Sequence, residues 1–244
     1  NTSGLTLESS FRFVDRWQLK DSSSFQWHIK LEDNAFDDLL TRGGHALKLK
    51  SAKELDVLYF GDSKGKLRYH LHGTLFDRTV SGLGYTVHAH PSYYFTDNYV
   101  LTLGLWFTQA NDWLLWQQAN TLNSYQRREL QTNINFNAII DERQELNIKF
   151  QWIALSAQGG SEYDVDMQGA LNRQHDQVND FSVSDTAIQI RYRYEIAPLS
   201  NIYLVYGRGG RVSLDDEESF SSLFSPGWQQ RDGDNLSLKI RYQF

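Results

Sequence analysis

The sequence predicts an all-β protein, a transmembrane up-and-down antiparallel β-barrel. Three observations predict it. Apolar residues recur at every second position along most of the chain, short and long connections alternate strictly, and no stretch carries the period of an amphipathic helix. A two-residue period is that of an extended strand with one apolar and one polar face.

The strands follow in order. The first, 5–19, puts Leu5, Leu7, Phe11, Phe13, Trp17 and Leu19 on its apolar side. FQWHIKLE (25–32) alternates Phe, Trp, Ile and Leu with Gln, His, Lys and Glu. DVLYFG (56–61) is less regular and is assigned by position. In 67–76, Leu67, Tyr69, Leu71 and Leu75 stand opposite Arg68, His70, His72 and Thr74. In 85–93, Tyr85, Val87, Ala89 and Tyr93 stand against Thr86, His88, His90 and Ser92. Alternation continues through 101–107, 133–140, 145–154 and 187–195; 202–207 is assigned by position. The last strand, 235–244, sets Leu236, Leu238, Ile240, Tyr242 and Phe244 against Asn235, Ser237, Lys239, Arg241 and Gln243. The expectation is about eleven strands in one domain, 1–244.

Connections 20–24, 62–66, 95–98, 141–144 and 197–201 are short, whereas 33–54, 78–84, 110–130, 156–185 and 209–234 are mostly long and polar. Short periplasmic turns and long extracellular loops are the habit of a bacterial outer-membrane barrel. A soluble sandwich or lipocalin has the same period but no reason to gather its long loops at one end. Trp17, Trp27, Tyr93, Tyr99, Tyr194, Tyr242 and Phe244 lie on apolar faces near the short-turn end, where an interfacial girdle belongs.

Composition sets further bounds. There is no Cys, which excludes disulfides and thiolate metal sites. A net charge of −6 argues against nucleic acid as a partner. No apolar run approaches the ~18–20 residues of a membrane helix. The negative mean hydropathy does not oppose a barrel, which shows lipid only every second residue.

The C-terminal Leu238, Ile240, Tyr242 and Phe244 resemble the signal by which bacterial assembly machinery recognises the closing strand of an outer-membrane barrel. That resemblance implies a periplasmic C-terminus, extracellular long loops, and outer-membrane lipid and the assembly machinery as partners. Single-chain bacterial barrels have an even strand number, and eleven is odd. The expectation is that this chain forms the C-terminal part of a larger barrel, completed by an upstream part of the same barrel or by a second chain.

A second resemblance rests on FDDLLTRGG (36–44), GDSKGKL (61–67), ELQTNINFNAIIDERQELNIKFQWIALSAQG (129–159) and DFSVSDTAIQIRYRYEIAPLSNIYLVYGRG (180–209). These segments are similar to the C-terminal barrel domain, of unknown function, of bacterial envelope proteins that carry an N-terminal domain like family-nine carbohydrate-binding modules. The resemblance singles out Asp37, Asp38, Thr41, Arg42, Gly43 and Gly44 as a family-like loop. It implies no catalytic residues, and no cofactor is expected beyond a divalent metal at a histidine set.

Chemistry concentrates in one histidine set. His70 and His72 alternate on one strand and His88 and His90 on the next, all on the polar side. A hairpin centred near 80–81 pairs His72 with His88 and His70 with His90. Imidazoles across such pairs come near enough to bind a divalent metal such as Zn²⁺ or Cu²⁺, although no carboxylate on these two strands completes a site. Ser92 beside His88 and His90 raises a hydrolase reading, but no nucleophile motif accompanies it. The acidic run Asp215, Asp216, Glu217 and Glu218 is read as a solvated loop, with Ca²⁺ binding as its alternative. Arg42 is expected to reach the lumen, where Arg12, Arg16, Lys30, Glu32, Lys149, Arg191, Arg193, Glu195, Lys239 and Arg241 supply both signs of charge.

The leading function is an outer-membrane anchor or conduit. It would serve a surface or periplasmic partner in handling carbohydrate or envelope components, and would not be an enzyme. A passive diffusion pore, a structural subunit of a multi-chain complex and an outer-membrane hydrolase are the alternatives.

Overall fold

A computed structural model describes residues 4–61, 63–77 and 82–243, with the backbone alone at 175 and 176. In chain order the elements are β1 (Ser10–Gln18), β2 (Ser24–Glu32), β3 (Ala35–Asp37), β4 (Leu47–Leu49), β5 (Ala52–Phe60), β6 (Leu67–Asp77) and β7 (Leu83–Thr96). Then come β8 (Tyr99–Gln118), β9 (Thr121–Asp141), β10 (Gln144–Val165), β11 (Leu171–Val178), β12 (Phe181–Ala197), β13 (Ser200–Leu214), α1 (Phe220–Gln229) and β14 (Gly233–Arg241). The main sheet runs β1-β2-β5-β6-β7-β8-β9-β10-β12-β13-β14, each strand antiparallel to the next. This is the expected all-β, up-and-down antiparallel barrel fold, with eleven strands in the meander.

Register shows why the alternation matters. One line of paired residues across β6 to β14 reads Arg68, Ser92, Thr102, Asn135, Lys149, Gln189, Gly207, Asn235. The adjacent line reads Leu67, Tyr93, Leu101, Phe136, Ile148, Ile190, Tyr206, Leu236. One face is therefore polar and the other apolar over eight strands. The apolar face is open: Val87, Leu105 and Leu238 expose 52%, 42% and 64% of their surface. Continuous exposed apolar surface of this extent marks contact with lipid or protein rather than water. At the short-turn end, Trp17 stacks on Phe25 and Trp27 leans on Phe13, with ring centroids 5.6 Å and 5.4 Å apart.

Among the described residues, β1 pairs with β2 alone and β14 with β13 alone, so both outer edges are open. Leu238 and Ile240 lie on the exposed apolar face of β14, and Tyr242 follows the strand, also exposed. Phe244 lies outside the described residues.

Three expectations change. The segments 110–130 and 156–185, expected as loops, are mostly strand: β8, β9 and β10 run 20, 21 and 22 residues, and β11 adds a further strand on β10. About 9–11 residues span a bilayer as a tilted strand, so these strands project well beyond that length. There they lose the two-residue period, because no lipid faces them. The connection 33–54 holds the β3–β4 hairpin. It packs Leu47, with Leu40 and Leu49, onto Leu114, Leu122, Val165 and Leu171 to form a small hydrophobic core.

The third change is α1, a helix that the alternation did not disclose. Ser219 caps it, its side chain accepting the Ser222 N–H. Phe220, Leu223, Phe224, Gly227 and Trp228 fall at helical spacing. The helix covers the apolar face of β10 and β12, where Phe224 meets Trp152 edge-on and Trp228 meets Phe150. Thr186 Oγ1 donates to the Gly227 carbonyl at 2.7 Å. A Cβ at Gly227 would collide with Ser184 Oγ, so glycine sets the depth of docking.

The acidic run is an exposed loop, as expected, and its backbone is anchored as the lead into this helix. Ser182 Oγ donates to the Asp216 carbonyl and accepts the Glu218 N–H, both at 2.9 Å, while Arg128 pairs with Glu217.

Candidate functional site

The site builds from register. β6 and β7 pair His70 with His90 and His72 with His88, as the sequence predicts. β5 lies on the other side of β6 and places Asp56 opposite Thr74 and Leu58 opposite His72. β2 then sets His28 opposite Asp56. The carboxylate missing from β6 and β7 comes from the neighbouring strand.

Asp56 is the most buried charged group of this region, with 4% of its surface exposed. A carboxylate so removed from water needs compensating donors. Oδ1 accepts the Thr74 hydroxyl at 2.6 Å and lies 2.9 Å from His72 Nε2. Thr74 Oγ1 and His72 Nε2 are themselves 3.1 Å apart. Oδ2 lies 2.5 Å from His28 Nε2. That approach falls off the line of a hydrogen bond, and Oδ2 has no hydrogen-bond partner among the described residues. Glu54 stands two positions earlier on the same face. Ligand atoms of His28, Glu54 and Asp56 all lie within 4.8 Å of one another.

The remaining histidines form a different arrangement. His70 and His90 stack with centroids 4.8 Å apart, and His88 meets His70 edge-on at 5.0 Å. His88 stacks on Trp106 at 4.2 Å with planes 11° apart, and Phe60 leans on His70 at 5.7 Å. Among the described residues, His88 Nε2 is buried without a hydrogen-bond partner. Of the four histidines singled out from sequence, the structure thus brings three into a ring cluster and turns His72 to Asp56.

Sequence reasoning missed His28, Glu54, Asp56 and Trp106. The signal for Asp56 was present: counting back across the 61–66 turn sets Leu58 against His72 and Asp56 two positions beyond. Leu58 and Phe60 on the polar face hid it by breaking the alternation of β5.

Other candidate residues find structural partners. Ser92 Oγ bonds Thr102 Oγ1 at 3.0 Å across the strand pair. On the polar face Arg193 pairs with Glu145 at 3.1 Å, Lys30 pairs with Glu8 at 3.0 Å and also with Glu32, and Arg191 lies over the Tyr203 ring.

The family-like loop sits at the tip of β8 and β9. Asp37 Oδ1 accepts the N–H groups of Leu39 and Leu40, each at 2.9 Å, fixing the turn in which Asp38 lies. Thr41 donates to the His45 carbonyl at 2.8 Å. Arg42 does not reach the lumen as expected; its guanidinium lies 4.5 Å over the Trp116 ring, and its backbone has φ +53°. Gly43 continues the left-handed turn with φ +101°. Gly44 lies so close to Asn120 Oδ1 and the Ala119 carbonyl that a side chain would not fit. His45 N–H donates to the same Asn120 Oδ1 at 2.7 Å. The loop is a clasp between the β3–β4 hairpin and the β8–β9 turn.

No curated protein sequence matches this chain significantly. Among solved structures it is similar to LpxR from Salmonella typhimurium, at 8% identity and a TM-score of 0.30, over 85% of this chain and 84% of that one. A family model matches residues 1–244, and the chain therefore belongs to the family described as Domain of unknown function (DUF5916).

Proposed function

We propose that this chain is wall of a bacterial outer-membrane β-barrel, with its long connections extracellular and its C-terminal end periplasmic. As anchor or conduit it serves a surface or periplasmic partner in handling carbohydrate or envelope components. The observation that supports this most is the pair of adjacent lines across β6 to β14, one wholly apolar or aromatic and one polar. Lipid rewards the first line and a wet lumen the second.

The open edges of β1 and β14 bear on the partner. In hydrocarbon every backbone N–H and C=O needs a partner, so both edges must be paired there. An upstream part of the same barrel or a second chain supplies those strands in this reading. A carbohydrate-binding domain as the working partner rests on the family resemblance alone.

The test is extraction of the native protein from outer membranes in mild detergent, followed by intact mass and planar-bilayer recording. Recovery from the outer-membrane fraction with a mass well above 28.3 kDa, or with a co-purifying strand-supplying chain, is the expected result. Recovery as a water-soluble species would contradict the proposal. Conductance steps would identify a conduit or diffusion pore, and their absence an anchor. The pore is the second reading, favoured by the unbroken polar line.

A further inference from the structure

We infer that His28, Glu54 and Asp56 form a binding site for one divalent transition-metal cation of the Zn²⁺ class. This goes beyond the barrel reading and stands on side-chain geometry alone. Three observations carry it. First, ligand atoms from the three residues, contributed by paired strands β2 and β5, already lie within 4.8 Å of one another. Metal–ligand bonds of about 2.0–2.2 Å to imidazole nitrogen and carboxylate oxygen bring ligands within that span.

Second, Asp56 Oδ2 is a buried carboxylate oxygen 2.5 Å from His28 Nε2 that accepts no hydrogen bond among the described residues. A buried carboxylate oxygen that accepts no hydrogen bond is stabilised by a cation bound beside it and the neighbouring imidazole. A cation also offsets the charge of two neighbouring carboxylates on a partly dry face.

Third, the other oxygen of Asp56 is already fixed. Thr74 Oγ1 and His72 Nε2 hold Oδ1 at 2.6 Å and 2.9 Å, leaving Oδ2 as the ligand. Supporting contacts of this kind orient the ligands of metal sites. His72 is therefore a positioning residue. One imidazole and two carboxylates suit Zn²⁺ and its neighbours and leave coordination positions for water or an oxygen ligand on the polar face. The ring cluster of His70, His88 and His90 is engaged in stacking and is not part of the site.

The experiment uses the full chain refolded in detergent micelles, stripped with chelator and titrated with Zn²⁺ by calorimetry and with Co²⁺ by visible absorption. One cation per chain is expected. Asp56→Asn and His28→Gln should each weaken binding at least tenfold and Thr74→Val by about tenfold, while His90→Gln leaves it unchanged. Unchanged binding in Asp56→Asn and His28→Gln, loss only in His90→Gln, or no binding by the unaltered chain would overturn the inference. Should a variant fail to fold, pulsed electron paramagnetic resonance of Cu²⁺ on the unaltered chain decides. One coordinated imidazole is expected, and more than one would overturn the site.

Discussion

The wall and the long-connection end of this molecule are packed with opposite polarity. In the wall, apolar side chains point away from the protein and a carboxylate, Asp56, is buried. At the long-connection end the largest fully buried side chains are apolar: Leu47, Leu122, Val165 and Leu223 expose 1% or less. There the β3–β4 hairpin and α1 close over the strands as in a water-soluble domain. One continuous set of strands therefore passes from a segment made for an apolar surrounding to one made for water. The change falls where the two-residue period ends, so the surroundings, rather than strand propensity, write the period into the sequence.

Substitutions that remove the same group from each region sharpen this contrast. Leu122→Ala should destabilise the chain by about 2–5 kcal/mol, the cost of a cavity in a closed core. Leu105→Ala, on the exposed apolar face, should cost far less in lipid vesicles. Urea unfolding of both variants in vesicles checks the pair, and equal losses would break the comparison.

Within the wall, Asp56→Ala should cost about 1–3 kcal/mol, because Thr74 and His72 lose their shared acceptor. His88→Phe should stay within about 1 kcal/mol of the parent, since it keeps the stack on Trp106 and removes a buried unpartnered nitrogen. The same unfolding assay separates them.

Next in size is Gly227→Ala, which pushes α1 off Ser184 at a cost of about 1–3 kcal/mol. Faster amide exchange confined to α1 and the strands beneath it would mark local undocking.

The smallest effect is one of pH at the tip between β10 and β11. Asp166 accepts the N–H groups of Ala170 and Gln168 and an Asn172 amide, and these bonds hold its carboxyl below the usual carboxylate range. A carboxyl lowered by folding stabilises above its unfolded pKa and stops doing so as pH falls through the folded value. The parent should therefore exceed Asp166→Asn in stability at neutral pH, and the gap should close on acidification.

The strands that alternate could be read directly from the sequence, as could the pairing of His70 with His90 and His72 with His88. The period fails in 110–130 and 156–185 because both faces of β8 to β10 meet protein or water there, so these strands read as polar loops. The helix left a helical spacing from Phe220 to Trp228, but Pro226 inside it reads as a breaker. Asp56 escaped because β5 carries Leu58 and Phe60 on its polar face and shows no clean alternation. Packing between sequence-distant loops, such as Arg42 on Trp116, leaves no local periodicity at all.

The central claim is that one face of the sheet meets lipid and the other a wet lumen. The chain has no Cys, so a single introduced cysteine can carry a spin label without interference. Labels placed one at a time at 101 to 105 on β8 and 236 to 240 on β14, in lipid vesicles, report access to oxygen and to a water-soluble nickel reagent. The account predicts strict alternation: oxygen access at 101, 103, 105, 236, 238 and 240, and nickel access at 102, 104, 237 and 239. Uniform nickel access at all positions would contradict it and make this sheet a water-soluble one.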